Sequence, residues 1–107
     1  MTDAHLAIDR ARHEVRIAVE GEVDLANAAV VEHQVLDAIS NQDTEVVLDL
    51  TGLTYIDSAG LRVLFTLGRR LGTLQIALEI VVPAESPIHR MIELSGIVSA
   101  IPVRSAG

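Results

Sequence analysis

The sequence predicts a small α/β domain in which helices pack against a mixed β-sheet. Three observations carry that expectation. Apolar residues alternate with polar ones near the start, a short and nearly continuous apolar run lies at 46–50, and apolar positions at helical spacing separate the strand-like segments. At 107 residues the chain has room for one core, so 1–107 reads as a single domain.

Leu6 and Ile8, then Val15, Ile17 and Val19, recur at every second position, as in two half-buried strands joined as a hairpin, with Gly21 ending the second. Asp24 is a suitable N-cap for a helix over 25–40, whose Ala28, Val31, Val35 and Ile39 share one face before Asn41 stops it. The run Val46-Val47-Leu48-Asp49-Leu50 reads as the central strand, because strands covered on both sides lose their polar alternation. After the 51–57 segment, Leu61, Leu64, Phe65, Gly68, Leu71 and Gln75 fall at helical spacing, so a second helix starts near Ser58 or Ala59, with Phe65 in its buried face. A strand over 78–82 closes at Pro83. Ser86-Pro87 opens a third helix with a capping hydroxyl and a proline at the first helical position; Ile88, Met91 and Ile92 form its inner face and Gly96 its stop. Ile101-Pro102-Val103 fits a short edge strand, where proline is tolerated.

Composition narrows the function. Fifteen acidic residues against eight basic ones give a net charge of −7, which repels nucleic-acid phosphates and anionic lipid. Tyr55 and Phe65 are the only aromatics, too few for a base-stacking platform, so no nucleic-acid partner is expected. The absence of cysteine removes disulfides and thiolate metal sites, which suits a reducing cytoplasm. The N-terminal residues lack a secretory pattern and no apolar run reaches the ~18–20 residues of a bilayer span, so a cytoplasmic chain without a membrane partner is expected.

The chemistry concentrates in Leu53-Thr54-Tyr55-Ile56-Asp57-Ser58-Ala59-Gly60-Leu61, where a hydroxyl follows a carboxylate at the start of a helix. Either side chain could simply cap that helix by accepting bonds from its free N–H groups. The same place also suits a phosphate, which gains from the helix dipole and the exposed amides. A phosphoryl group on Ser58 would add about −1.5 to −2 charge beside Asp57 and so disturb a partner shaped for the neutral hydroxyl.

The segment Val47-Leu48-Asp49-Leu50-Thr51-Gly52-Leu53-Thr54-Tyr55-Ile56-Asp57-Ser58-Ala59-Gly60-Leu61-Arg62-Val63-Leu64 resembles the core signature of STAS domains, specifically anti-sigma factor antagonists. The resemblance extends to Gly21-Glu22-Val23-Asp24-Leu25-Ala26 and to Glu93-Leu94-Ser95-Gly96-Ile97, and the Ser58-to-Pro83 spacing is similar too, so it covers nearly the whole chain. It implies a STAS-like fold and a cycle in which an anti-sigma factor serine kinase phosphorylates Ser58, the unmodified form sequesters that kinase, and a phosphatase resets the switch. Carried over by residue, Ser58 is the phospho-acceptor, Asp57, Gly60 and Leu61 shape its turn, and Asp24 lies on the neighbouring partner-facing loop. Asn27 stands where many relatives carry Ser or Thr, so a second acceptor is not implied there, although Asn27 could hydrogen-bond a partner.

Other constellations are weak. Ile56 occupies the position where a nucleophile elbow needs its first glycine, and His5, His13, His33 and His89 share no spacing that provides a base or a metal site. No phosphate-cradling glycine pattern is present, so neither a cofactor nor an enzyme activity is expected. The competing expectation within the same family is a STAS subunit of a lipid or ion transporter, or of a larger signalling scaffold.

Overall fold

The computed structural model describes residues 3–106. Among them the order is β1 (Ala4–Ala11), β2 (Glu14–Val23), α1 (Ala28–Ala38), β3 (Glu45–Asp49), β4 (Leu53–Ile56), α2 (Ser58–Thr73), β5 (Ala77–Pro83), α3 (Pro87–Ser95), a 3-10 turn at Ile97–Ser99, and β6 (Val103–Ala106). The strands form one mixed sheet, β1-β2-β3-β5-β6, antiparallel between β1 and β2 and parallel thereafter. The central position expected for the apolar run is the one β3 takes.

Each parallel step, from β2 through α1 to β3, on through α2 to β5 and through α3 to β6, moves the chain in the same direction across the sheet. Because such crossovers are right-handed, the three helices must cover the same face. The buried residues agree. Val15, Ile17, Val19, Val46, Leu48, Ile80 and Val82 on the strands form one cluster with Val31 and Val35 of α1, Leu64, Leu67 and Leu71 of α2, and Ile88 and Ile92 of α3. The opposite face is largely polar and is laced by the ion pairs Arg16–Asp49 (2.9 Å) and Arg104–Glu79 (3.2 Å).

Several sequence expectations shift. Gly21 does not end β2; it takes a positive φ of 99° at a register break, where a Cβ would collide with the Asp3 carbonyl, and the strand continues to Val23. The first helix begins at Ala28, not at 25, because residues 25–27 are a turn whose Asn27 and Ala28 amides both donate to the Asp24 carbonyl. The 51–57 segment holds an unanticipated strand, β4, paired parallel to the end of β2. Gln75 lies beyond α2 with φ 59°. The last strand begins at Val103, while Ile101 enters the core.

Phe65 also departs from expectation: it is 38% exposed. Two stripes at helical spacing overlap on α2, and the one that faces the sheet is Gly60, Val63, Leu64, Leu67 and Leu71. Gly60 decides between them, since only a residue without a side chain lets the helix close on Ile56 and Val23. Phe65 instead borders an open groove with Gly68, Arg69 and Ile101.

Asp43, 3% exposed, fastens the turn between α1 and β3. It pairs with Arg10 of β1 at 2.6 Å and accepts the Ser40 amide at 2.7 Å, while Arg10 also donates to the Ala38 carbonyl. Burial pushes the Asp43 carboxyl up, but the Ser40 amide and the Arg10 guanidinium outweigh it and hold it below 3.8. Asp49 is depressed in the same sense, with burial opposed by two bonds from Thr51 and by Arg16. No helix among the described residues is long and apolar enough to cross a membrane.

Two outcomes follow from the packing. Leu67→Ala should cost about 2–5 kcal/mol and Phe65→Ala well under half of that, read from denaturant midpoints. Both carboxyls have folded-state pKa values below their unfolded ones, so their contribution is complete above about pH 3.8 and is lost as the pH falls through the lower folded values. Urea midpoints should therefore fall steeply below about pH 4, and Asp43→Asn should flatten that fall.

Candidate functional site

The site forms where β2 and β4 end side by side. Val23 pairs with Ile56, and the Asp57 amide then donates to the Val23 carbonyl at 3.2 Å, so the chain leaves both strands at one point. Thr54 adds a hydroxyl bond to the Gly21 carbonyl at 3.0 Å, which fixes β4 against the bulge. The loop from β2 to α1 and the start of α2 are consequently neighbours.

Asp57 is the N-cap of α2. Its Oδ1 accepts the Ala59 and Gly60 amides at 2.9 and 3.1 Å, and its backbone carbonyl accepts Leu61 N–H at 2.9 Å, the first bond of the helix. Of the two capping residues the sequence offered, the carboxylate takes the role, which leaves Ser58 at the first helical position and exposed. The second carboxylate oxygen, Oδ2, accepts the Leu25 amide at 3.1 Å across 32 residues of sequence. One side chain therefore binds both the helix start and the adjacent loop.

That loop is ordered internally by Asn27 and Asp24. Asn27 donates through Nδ2 to the Glu22 carbonyl and accepts the Asp24 amide on Oδ1, both at 2.9 Å. Asp24 Oδ1 accepts the Ala26 amide at 2.8 Å. These are the bonds of a tight turn whose polar side chains fold back on the backbone, the property that keeps Asn and Asp out of helix interiors. Leu25 is left pointing outward, 83% exposed, beside the carboxylate that holds its amide.

The six site residues expected from the sequence thus lie on two touching segments: Asp24 and Asn27 on the loop, and Asp57, Ser58, Gly60 and Leu61 on the helix start. Gly60 is buried and Leu61 half-buried, so they set the position of the turn from beneath. Leu25 has no role in the spacing argument. Its signal was an apolar residue placed between two turn-forming polar ones. Two of the four histidines pair along their own helices, His33 with Asp37 and His89 with Glu93. Among the described residues no group of three or more His, Cys, Asp or Glu could hold a metal ion.

A family model described as "Mlab, STAS domain" matches residues 6–101. The chain belongs to the STAS domain family. This STAS domain is 32% identical over 102 residues to BtrV of Bordetella bronchiseptica, provisionally named an anti-sigma factor antagonist, across 94% of this chain and 86% of that one. Among solved structures, an anti-sigma factor antagonist from Mycobacterium paratuberculosis superposes with a TM-score of 0.83 at 20% identity, covering 95% of this chain and 86% of that one. The Bacillus cell fate determinant SpoIIAA in its phosphorylated form superposes at 0.70 with 19% identity, covering 96% and 92%. At such identities the two structures bear on the fold, which they share with this STAS domain.

Gly60→Ala tests how tightly the site is seated. A Cβ there would lie 2.5 Å from Ile56 Cγ1 and 3.1 Å from Val23 Cγ1, so the substitution should destabilise the domain by about 1–3 kcal/mol, measured as a lowered denaturant midpoint.

Proposed function

We propose that residues 1–107 act as one cytoplasmic STAS domain, an anti-sigma factor antagonist that binds an anti-sigma factor serine kinase while Ser58 is unmodified and releases it once Ser58 is phosphorylated. In that step the Ser58 Oγ takes the γ-phosphoryl group of ATP and gives up its proton, the bond to the leaving ADP breaks, and a phosphatase later restores the hydroxyl by hydrolysis. Release of the kinase then governs sigma-factor-dependent transcription. The domain itself is read as a substrate and binding module, not as an enzyme.

The observation that carries this reading is the exposed Ser58 hydroxyl at the first position of α2, flanked by Asp57 and by the 24–27 loop. Family membership and the relative's name support it, as does the shared fold of SpoIIAA, whose phosphorylated form is known. The physical logic is charge placement. A phosphate brings about −1.5 to −2 charge to a rim that already carries Asp24 and Asp57, and an unpaired charge buried against a partner loses hydration without compensation. Asp24, Asn27, Asp57, Gly60 and Leu61 belong to the contact face in this reading, the last two by shaping it.

Incubation with anti-sigma factors of the same organism and ATP, followed by peptide mapping, should place one phosphate on Ser58. A phosphate on Ser40, Ser86 or Thr54 instead would overturn the assignment. Ser58→Asp should shift stability by less than about 1 kcal/mol, since the helix dipole offsets repulsion from Asp57, yet weaken binding by several kcal/mol. Calorimetric titration beside thermal melts separates the two. Undiminished binding of the phosphorylated protein would end the switch reading, and constitutive co-purification with membrane ATPase subunits would replace it with a permanent transporter subunit.

A further inference from the structure

The Asp57 carboxylate has two attachments, and phosphorylation at the next residue bears on both. Oδ1 holds the Ala59 and Gly60 amides, the donors a helix N-terminus would otherwise offer to a phosphate, and Oδ2 holds the Leu25 amide of the neighbouring loop. We infer that Asp57 relays the state of Ser58 to the 24–27 loop: a phosphate on Ser58 displaces the carboxylate from its amides, Leu25 is released, and the loop leaves its docked position. The inference rests on Ser58 as the acceptor, and it adds a positioning role for Asp57 and a conformational component to the switch.

Competition for donors is the reason. The start of α2 leaves three amides without helical partners, those of Ser58, Ala59 and Gly60, because Leu61 N–H already bonds the Asp57 carbonyl. Two of the three are taken by Oδ1. A phosphate one residue away offers three strong acceptor oxygens and nearly twice the charge of the carboxylate, so it is the stronger claimant for the same donors. Like charges at that separation also oppose each other, and the carboxylate relieves the repulsion by swinging outward, since it is half-buried and not enclosed. Either movement breaks the bond to Leu25.

Asn27 stays bonded to the Glu22 carbonyl of β2 and to the Asp24 amide, so the loop remains hinged on the strand end and its Leu25 side swings away from α2 without the turn melting. What changes is where its exposed leucine points. A partner that seats Leu25 in an apolar recess while approaching the Ser58 hydroxyl would meet both surfaces only in the unmodified protein. Phosphorylation then works twice: it places charge in the contact, and it withdraws an apolar anchor beside it.

The test is an NMR comparison of the full chain with and without phosphoserine installed at position 58 during translation, which needs no kinase. In the phosphorylated chain the Leu25 amide should lose its hydrogen-bonded downfield shift and exchange with water about tenfold faster, the scale of one charge-assisted bond. Asp57→Ala should show the same release without phosphate, and adding phosphate should then change Leu25 no further. Should that variant fold poorly, Asp57→Asn keeps a neutral acceptor, and phosphate should move Leu25 less in it than in the native chain. A Leu25 amide equally protected in both native forms would overturn the relay. Titrating the same two samples with an anti-sigma factor separates the two readings. Lost binding with an unmoved Leu25 leaves the switch and removes the relay, whereas a released Leu25 with full binding leaves the relay and removes the switch.

Discussion

Parallel pairing of β4 with the bulged end of β2 is the constraint on which the site depends. The first half of β2 is occupied by β3, so a second parallel partner can join only beyond residue 18, and the register break at Gly21 makes room for it. With Val23 opposite Ile56, both chains exit at the same level and in the same direction. A loop and a helix N-terminus are thereby set next to each other before any side chain at the site is considered. Open parallel sheets place binding sites at the carboxyl ends of their strands for this kind of reason.

Close packing then converts adjacency into fixed geometry. Gly60 lets α2 approach Ile56 and Val23 to a distance no side chain permits, and Leu64, Leu67 and Leu71 continue that contact along the helix. A helix held this way cannot rotate to bury Phe65, so the largest apolar side chain of α2 stays half in solvent while smaller ones fill the core. The far end of the domain has its own fastening in Arg10 and Asp43, which is chemically separate from the site.

Most of the layer arrangement was legible in the sequence because it depends on period. The alternation of Val15, Ile17 and Val19, the run at 46–50, and the Ser86-Pro87 start each correspond to an element with the expected partner or cap. What escaped depends on relations between distant segments. The four residues of β4 give the pattern buried, exposed, exposed, buried, because the bulge beside them breaks the simple alternation, and period 2 cannot reveal them. The stripe containing Phe65 matched helical spacing as well as the true one, and only the contact of Gly60 with Val23 and Ile56 distinguishes them. At the site, the motif located Asp57 and Ser58. It could not divide capping between them, nor show that Asp57 also reaches Leu25, a bond across 32 residues.

That division of labour bears on why a carboxylate precedes the hydroxyl. Were Asp57 an apolar residue, the free amides of α2 would welcome a phosphate on Ser58, and the modified helix start would be a settled, neutralised surface. With the carboxylate already bonded to Ala59 and Gly60, those donors are satisfied in the unmodified protein, whose exposed hydroxyl stands on a surface with little left to stabilise an anion. In the proposed switch, a phosphate on Ser58 would have either to compete for those amides or to remain outside as uncompensated charge. Both results would make the proposed modified surface differ more from the unmodified one than the added group alone. The same two hydrogen bonds that stabilise the helix start would therefore give the proposed modified state its contrast, and a switch that operates without unfolding its domain requires that contrast to be local.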